Sequence, residues 1–352
     1  MIIRICAFTD AGRRLAQTIE SCFPEHRIEH RAMQEKLSDW TVKAFSMHVP
    51  IVFIGACGIA VRAIAPFAKD KLMDSPVVVL DEAGQFVIPI LSGHMGGANE
   101  LAEEIADKIG AQAVITTATD VNGVFSVDVF AEKNGFKICN RDGIRRVSSK
   151  LLREGKVLIS IAPEIVYDAK KVPPEIKVVD FPPAEDTDVV IAEDACDPVS
   201  CGEEQSCQGK ESLRLVPKKY VLGIGCKKDT PVEKIRRLVE EAVIGSNLQI
   251  DYEDIAAVAS IDLKAREYGL LRFASEKKIA LKTYSCEQLR SVRGEFTESE
   301  FVKNVTGVSN VCERAAICCA GEGAKLLLKK VARDGVTVAV AMRKGNITEW
   351  KT

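Results

Sequence analysis

The chain has 352 residues, which is enough for two or three domains that each bury a hydrophobic core. Its formal net charge at pH 7 is −2, so the composition indicates neither a nucleic-acid partner nor binding to an anionic membrane surface. No apolar run approaches the ~18 residues that a membrane-spanning helix needs. The 12 cysteines follow no disulfide framework, which predicts reduced thiols and a cytoplasmic protein.

The first third of the chain alternates short apolar runs with glycine-containing turns and helical patterns. Buried strands are predicted over Ile2 to Phe8, Pro50 to Ile54, Val77 to Leu80 and Phe86 to Leu91. This β-α-β-β-α-β order predicts an α/β domain with an open, mainly parallel sheet over residues 1–125.

A first glycine turn, G-A-C-G-I-A-V-R, follows the strand that ends at Ile54. Gly58 would let a ligand approach the backbone closely, and Arg62 lies one helical turn further on. The guanidinium of Arg62 could hold a carboxylate through two hydrogen bonds. A solvated arginine on a helix surface explains the same spacing equally well.

A second glycine turn, S-G-H-M-G-G-A-N, follows the strand that ends at Leu91. Gly93, Gly96 and Gly97 surround His94, and Asn99 is predicted to cap the next helix. An imidazole exchanges protons near neutral pH, so His94 is the candidate general base or acid. The competing interpretation is structural: His94 would only brace the turn, and the paired glycines would only make a tight connection.

A threonine-rich strand end, A-V-I-T-T-A-T-D, comes after the helix that follows this turn. Thr116, Thr117 and Thr119 are candidate substrate-binding residues, and Asp120 would orient His94 or share its proton transfer. Because the loops after parallel strands share one crevice with helix N-termini, we expect all these loops to line one anion-binding site.

The middle of the chain carries no chemical constellation. Residues 126–192 are predicted to form a small α+β unit, and residues 193–217, which are acidic and poor in apolar side chains, a solvated linker. Cys196, Cys201 and Cys207 lie in this linker, but they lack C-x-x-C spacing and partner histidines. A metal site is therefore not predicted.

A second α/β domain is predicted over residues 218–352, with polar residues at its strand ends and helix starts. The candidate residues there are Gly225, Cys226, Lys264, Glu267 and Glu313. Cys226 is either an activated thiol or a small residue that fills a turn, and no nearby histidine favours the thiol. Lys264 and Glu267 could simply pair with each other at i,i+3 spacing.

Taken together, these motifs resemble those of the cobalt-precorrin-5A hydrolase family. The two glycine turns and the A-V-I-T-T-A-T-D segment are similar to the family's N-terminal domain. G-I-G-C-K-K, A-S-I-D-L-K-A-R-E-Y-G-L and G-V-S-N-V-C-E-R-A-A are similar to its C-terminal domain, which is related to CobE of the aerobic route. Glu313 matches the family pattern, whereas Cys312 and Arg314 beside it depart from the small residues that are usual there.

The resemblance implies an enzyme of anaerobic cobalamin biosynthesis. It would open the δ-lactone of cobalt-precorrin-5A and release a two-carbon fragment as acetaldehyde, which gives cobalt-precorrin-5B. Cobalt would be carried by the substrate, and no protein cofactor or metal is expected. The expected partner is the substrate, with room for transient contacts with neighbouring pathway enzymes. His94, Asp120 and Glu313 are the catalytic candidates, and glycine loops on two domains suggest a cleft between them.

Two functions from other classes remain open on the sequence. A non-catalytic carrier of a corrinoid intermediate would bind the substrate and release no acetaldehyde. A nucleotide- or S-adenosylmethionine-binding α/β enzyme would also use glycine loops. The chain, however, has no P-loop and no G-x-G-x-x-G turn followed by an acidic residue ~20 positions on.

Overall fold

The structure is a computed structural model that describes residues 1–70, 74–94, 96–117, 123–193 and 212–350. It is a mixed α/β structure with a six-stranded sheet, two five-stranded sheets and a two-stranded sheet. No helix within these ranges is both long enough and apolar enough to cross a membrane.

The N-terminal sheet has the strand order β2-β1-β3-β4-β5-β6. Its elements are β1 (Ile2–Ala7), α1 (Asp10–Cys22), β2 (Arg27–His30), α2 (Leu37–Ser46), β3 (Ile51–Ile54), α3 (Cys57–Ile64), β4 (Val77–Leu80), β5 (Phe86–Leu91), α4 (Ala98–Ile109) and β6 (Gln112–Ala113). All residues of β3 and β4 are buried, because helices pack on both faces of the sheet. The predicted strands are confirmed, but β6 ends four residues before Thr117.

The direction of this sheet reverses between β4 and β5. These two strands are antiparallel, with Val77 opposite Leu91 and Leu80 opposite Val87, whereas β3 and β4 are parallel. The turn between them is only five residues long and is braced by the Asp81 carboxylate, which accepts from three backbone N–H groups. So short a connection can form a hairpin but not a parallel crossover.

The hairpin separates the two glycine turns. Gly58 and Arg62 follow the end of β3, whereas His94 follows the end of β5 and lies at the opposite edge of the sheet. The prediction that both turns line one crevice is therefore wrong. The Thr116–Thr117 segment does share the edge with His94, because β6 runs parallel to β5.

The middle sheet has the strand order β10-β8-β11-β12-β7. The segment that forms this sheet contains α5 (Val127–Lys133), β7 (Phe136–Ile138), α6 (Asp142–Glu154), β8 (Val157–Ile161), β9 (Val166–Tyr167), β10 (Ile176–Val179), β11 (Val189–Ile191) and β12 (Leu213–Pro217). Strand β9 belongs to the separate two-stranded sheet. β12 is a correction: the predicted linker ends in a strand, because Leu213, Leu215 and Pro217 alternate into the core. Cys196, Cys201 and Cys207 lie outside the described residues.

The C-terminal sheet has the strand order β15-β14-β13-β17-β16. The segment that forms this sheet contains β13 (Tyr220–Cys226), α7 (Val232–Val239), β14 (Ile255–Ile261), α8 (Tyr268–Glu276), β15 (Ala280–Tyr284), α9 (Cys286–Ser291), α10 (Glu300–Thr306), α11 (Cys312–Ala320), β16 (Lys325–Arg333), β17 (Val336–Met342) and β18 (Asn346–Ile347). Strand β18 belongs to the two-stranded sheet with β9. A Cβ on Gly223 would lie 1.8 Å from the Cys312 carbonyl oxygen, so glycine is what lets α11 pack on β13.

The three sheets contact one another directly. Leu271 of α8 joins the core of the N-terminal sheet, and the Ser275 hydroxyl donates to the Met47 carbonyl at 2.5 Å. The end of the chain crosses to the middle sheet, where β18 pairs with β9 and Trp350, which is 3% exposed, enters the core. These contacts hold the segments around a shared cleft.

The cysteines are partly as predicted. Eight of those in the described ranges are free thiols, but Cys139 is disulfide-bonded, so the prediction of reduced thiols is wrong at that position. A disulfide requires two cysteines that lie close together in the folded chain, and sequence spacing alone does not show which cysteines do.

Candidate active site in the cleft between the three sheets

All three sheets contribute to the cleft, which encloses a cavity of about 280 Å³. The N-terminal segment contributes His94, Gly96, Gly97 and Glu100. The middle segment contributes Val129, Glu132, Lys133 and Gly135, and the C-terminal segment contributes Val221, Ala256, Ala257, Ala280, Lys282, Cys319 and Arg343. The site therefore exists only when the whole chain is folded.

The His94 turn forms the N-terminal wall. The Gly97 N–H donates to the His94 carbonyl at 2.9 Å, and the Ala98 N–H donates to the Ser92 carbonyl at 3.2 Å. Helix α4 begins at Ala98, after Gly97 in the left-handed conformation with φ of 76°. The prediction of Asn99 as the N-cap is therefore wrong, because the glycine turn itself delivers the chain into the helix.

Two of the predicted site residues lie behind this wall and position it. Asn99 is buried, and its Nδ2 donates to the Thr117 hydroxyl at 3.0 Å. A Cβ on Gly93 would lie 2.6 Å from the Asn99 Oδ1, so glycine is required there by the packing of the turn. Asn99 thus fastens helix α4 to the segment after β6. Thr116 lies exposed beside it on the same edge.

The remaining candidates of this segment cannot be placed in the cleft. Thr119 and Asp120 lie outside the described residues, so their roles stay predictions. Arg62 is exposed at the other edge of the sheet, where its Nη1 donates to the Gly58 carbonyl at 3.3 Å. That hydrogen bond lies within helix α3 and does not connect Arg62 to the cleft.

The end of helix α5 forms the middle wall and carries a carboxyl group that the sequence analysis did not identify. Glu132 lines the cleft, where the surrounding walls remove part of its solvation; this loss, followed by the negative charge of Glu100, raises its pKa to about 7. The neighbouring Lys133 ammonium pairs with Glu100 at 2.9 Å, so the negative charge of Glu100 offsets the effect of Lys133 on the pKa of Glu132. A carboxyl group that titrates near pH 7 can both donate and accept a proton at physiological pH.

The C-terminal wall carries two cations, Lys282 on β15 and Arg343 after β17. The Arg343 Nη2 donates to the Asn346 Oδ1 at 2.7 Å and to the Asn134 carbonyl at 3.3 Å. Burial raises the pKa of the Cys319 thiol between them, so Cys319 is a neutral member of this wall.

The C-terminal candidates of the sequence analysis lie at the far end of their sheet. The cavity contacts β13 at Val221, whereas Gly225 and Cys226 are four and five residues further along, about 13–17 Å at the rise of a β-strand. Burial raises the pKa of Cys226 to about 11, so its thiol is not activated.

Lys264 and Glu267 also lie at that far end and bind each other. The Lys264 ammonium is 3.0 Å from Glu267 Oε2, and Glu267 Oε1 accepts from the Thr230 N–H at 3.2 Å. Glu267 is only 8% exposed, so the pair stabilises the start of helices α7 and α8. Helix α7 begins at Val232, directly after Pro231.

Glu313 lies in the interior of the C-terminal segment and is fully buried. Its carboxylate accepts hydrogen bonds from the Thr297 N–H and hydroxyl, both at 2.8 Å, and from the Lys330 N–H at 2.7 Å. It is not among the residues that line the cleft. This geometry describes a structural carboxylate that fastens a loop and a strand to helix α11.

Glu313→Ala tests that description. Because two backbone N–H groups would lose their acceptor, we expect the free energy of unfolding to fall by about 2 kcal/mol. The turnover of the folded fraction should stay within about twofold, because the group does not reach the cleft. Urea unfolding and activity per folded molecule measure the two effects. A loss of turnover of about 100-fold with unchanged stability would restore the catalytic assignment.

One cluster outside the cleft has the composition of a metal site. Glu25, His26 and Glu104 bring their ligand atoms within 4.8 Å of one another. The Lys108 ammonium lies 3.1 Å from Glu25 and 3.2 Å from Glu104, so both carboxylates already pair with the same side-chain cation. Burial lowers the pKa of His26.

The cleft brings a histidine, a carboxyl group with a raised pKa and two cations from three segments of an α/β structure to one place, an arrangement typical of an enzyme active site. The family model "Cobalamin synthesis G N-terminal" matches residues 39–120, and "Cobalamin synthesis G C-terminus" matches residues 220–341. The chain therefore belongs to the cobalamin synthesis G family.

Similar proteins cover nearly the whole chain. A cobalt-precorrin-5A hydrolase from Salmonella typhimurium is 31% identical over 97% of both chains. One from Priestia megaterium is 31% identical over 96% of this chain and 94% of its own. The solved structure of a putative cobalamin biosynthesis protein G homolog from Sulfolobus solfataricus aligns over 97% of this chain and 96% of its own, at 25% identity and a TM-score of 0.42.

Proposed function

We propose that this protein is a cobalt-precorrin-5A hydrolase and that the cleft between its sheets is the active site. The supporting observation is its alignment, over nearly all of its length, with relatives that bear this name. It would open the δ-lactone of cobalt-precorrin-5A and release acetaldehyde, which leaves cobalt-precorrin-5B in the anaerobic route to cobalamin.

The size of the cavity bears on how the substrate binds. About 280 Å³ is at the lower end of small-molecule pockets and much smaller than a corrinoid macrocycle. The cleft therefore receives the lactone-bearing edge of the substrate and the acid arms beside it, while the rest of the ring lies outside. Cobalt belongs to the substrate in this proposal, and the protein supplies no cofactor of its own.

The first chemical step is hydrolysis of the lactone. His94 acts as the general base that takes a proton from the attacking water, whose oxygen bonds to the acyl carbon. Glu132 in its protonated form donates its proton to the ring oxygen as the acyl C–O bond breaks. The products are a carboxylate on the macrocycle and a hydroxyl on the two-carbon fragment.

The second step releases that fragment. The Glu132 carboxylate formed in the first step takes the proton back from the new hydroxyl, so one group serves the same oxygen twice. The hydroxyl oxygen becomes a carbonyl, the carbon–carbon bond breaks, and its electron pair moves into the conjugated cobalt-bearing ring. Acetaldehyde then leaves. The reaction would take place in the cytoplasm, with neighbouring pathway enzymes as transient contacts.

Oxygen labelling tests this sequence of steps. The purified protein converts cobalt-precorrin-5A in ¹⁸O-labelled water without oxygen, and mass spectrometry locates the label. Attack at the acyl carbon places one ¹⁸O in a carboxylate of the corrinoid product. A product without label, formed together with acetaldehyde, would contradict lactone hydrolysis. An unchanged corrinoid that stays bound to the protein would favour the carrier.

A further inference from the structure

Positive charge exceeds negative charge on one wall of the cleft. Glu100 of the N-terminal wall and Lys133 of the middle wall form an ion pair at 2.9 Å. On the C-terminal wall Arg343 and Lys282 are both cationic, and within the described ranges neither takes part in an ion pair. The proton-transfer groups of the proposed mechanism do not explain why two cations converge there.

Arg343 is the more informative of the two. It is half-buried, and the two groups that accept its hydrogen bonds, the Asn134 carbonyl and the Asn346 amide oxygen, are both uncharged. A Cβ on Gly135 would lie 2.8 Å from Arg343 Nη1, so the guanidinium packs closely against that cleft-lining glycine. Burial without a counter-ion lowers its pKa.

An arginine held in this way is preorganised for an anion. Partial desolvation of a guanidinium costs free energy unless an opposite charge compensates for it, and the two asparagine groups supply no charge. A guanidinium binds a carboxylate through two parallel hydrogen bonds. The exposed ammonium of Lys282 lines the same cavity and can contact the same anion from a second direction.

We propose that Arg343 and Lys282 form a carboxylate-binding subsite that holds an acid arm of a tetrapyrrole substrate. This inference rests on the proposed function, which supplies a substrate with several acetate and propionate arms. The subsite lies on the C-terminal wall, and Arg343 also contacts the middle wall at Asn134 and Gly135. Anchoring one arm there determines which edge of the macrocycle reaches the proton-transfer groups, so the subsite contributes to both affinity and orientation.

The test uses Arg343→Gln, Arg343→Lys and Lys282→Gln in the full chain. Arg333→Gln is the matched control, because Arg333 pairs with Glu241 and does not line the cleft. Two measurements are made on each protein. One is kcat and KM for acetaldehyde release from cobalt-precorrin-5A, and the other is the Kd of uroporphyrin III, a tetrapyrrole with eight carboxylates, from its own fluorescence.

We expect Arg343→Gln to raise KM and the uroporphyrin Kd by at least about 10-fold, with kcat within about threefold of wild type. Arg343→Lys should recover part of the loss. Added salt should weaken binding to wild type more than to Arg343→Gln, because one charge contact is missing from the variant.

Unchanged KM and Kd in Arg343→Gln would overturn the proposal, as would the absence of uroporphyrin binding to wild type. If Arg343→Gln fails to fold, Lys282→Gln decides, since its exposed side chain can be replaced safely: KM and Kd should rise at least about fivefold. If wild type releases no acetaldehyde, the proposed function fails, and the uroporphyrin titration still tests the subsite.

Discussion

Replacement of His94 by alanine should lower the turnover of cobalt-precorrin-5A by about 100-fold or more, because general base catalysis contributes at least that factor. His94 lines the cleft on a turn that is held by Gly97 and Ser92 and fastened from behind by Asn99. KM should change little, since binding of the acid arms is assigned to Arg343 and Lys282 on the C-terminal wall. Steady-state acetaldehyde release measures both quantities.

The matched control for this experiment is His30→Ala, because His30 lies exposed on β2 and pairs with Glu20 at 2.8 Å. Its kcat and KM should equal those of wild type. A second variant, His94→Gln, keeps a polar side chain but cannot act as a base, so it should be as slow as His94→Ala. Near-normal turnover of a folded His94→Ala protein would show that His94 only braces the glycine turn.

The second large effect concerns Glu132→Gln. Glutamine keeps the shape of the side chain but carries no exchangeable acid, so turnover should fall by about 100-fold or more. In wild type kcat/KM should fall as the pH rises through about 7, because Glu132 must be protonated for the first step. That alkaline limb should be absent in the variant.

The pKa of Glu132 also makes a prediction about stability. Loss of solvation raises it, followed by the charges of Glu100 and Asp128, while Lys218 and Lys133 oppose the increase. A carboxyl group with a raised pKa in the folded state makes folding less favourable as the pH rises from its ordinary value to about 7. Glu132→Gln should therefore melt at a higher temperature than wild type at pH 8, with little difference at pH 4.

Thermal unfolding at the two pH values, together with a pH–rate profile, completes this test. The control is Glu164→Gln, because Glu164 is exposed and does not line the cleft. Slow turnover combined with a higher melting temperature is the signature of a carboxyl group that is retained for function at the expense of stability. A variant that is stabilised but fully active would remove Glu132 from the mechanism.

Sequence patterns predicted the strands of the N-terminal sheet well, because a continuous apolar run is itself the signal of a buried strand. Continuous apolar runs identified β4 and β5 to the residue. Asn99 failed as the cap of helix α4 by two residues, because Gly97 takes that position. Local sequence patterns do not fix a helix end more closely than one or two residues.

The site could not be predicted in the same way, because it depends on strand direction and on how the three sheets pack together. The hairpin between β4 and β5 moved Arg62 away from His94, although both follow similar glycine turns. Glu132, Lys282 and Arg343 lie in unremarkable helix and strand contexts, and only the packing of three sheets brings them to one cleft. Glu313 was a catalytic candidate on the family pattern, but its burial and its hydrogen bonds to backbone N–H groups became visible only in the folded chain.

Acetaldehyde release is the measurement that tests the central claim most directly. Purified protein is mixed with cobalt-precorrin-5A without oxygen, and acetaldehyde is trapped and counted against substrate consumed. We expect one acetaldehyde for each cobalt-precorrin-5B formed, as lactone hydrolysis followed by fragment release requires. Tight binding of the corrinoid with no acetaldehyde would contradict it and identify the protein as a carrier.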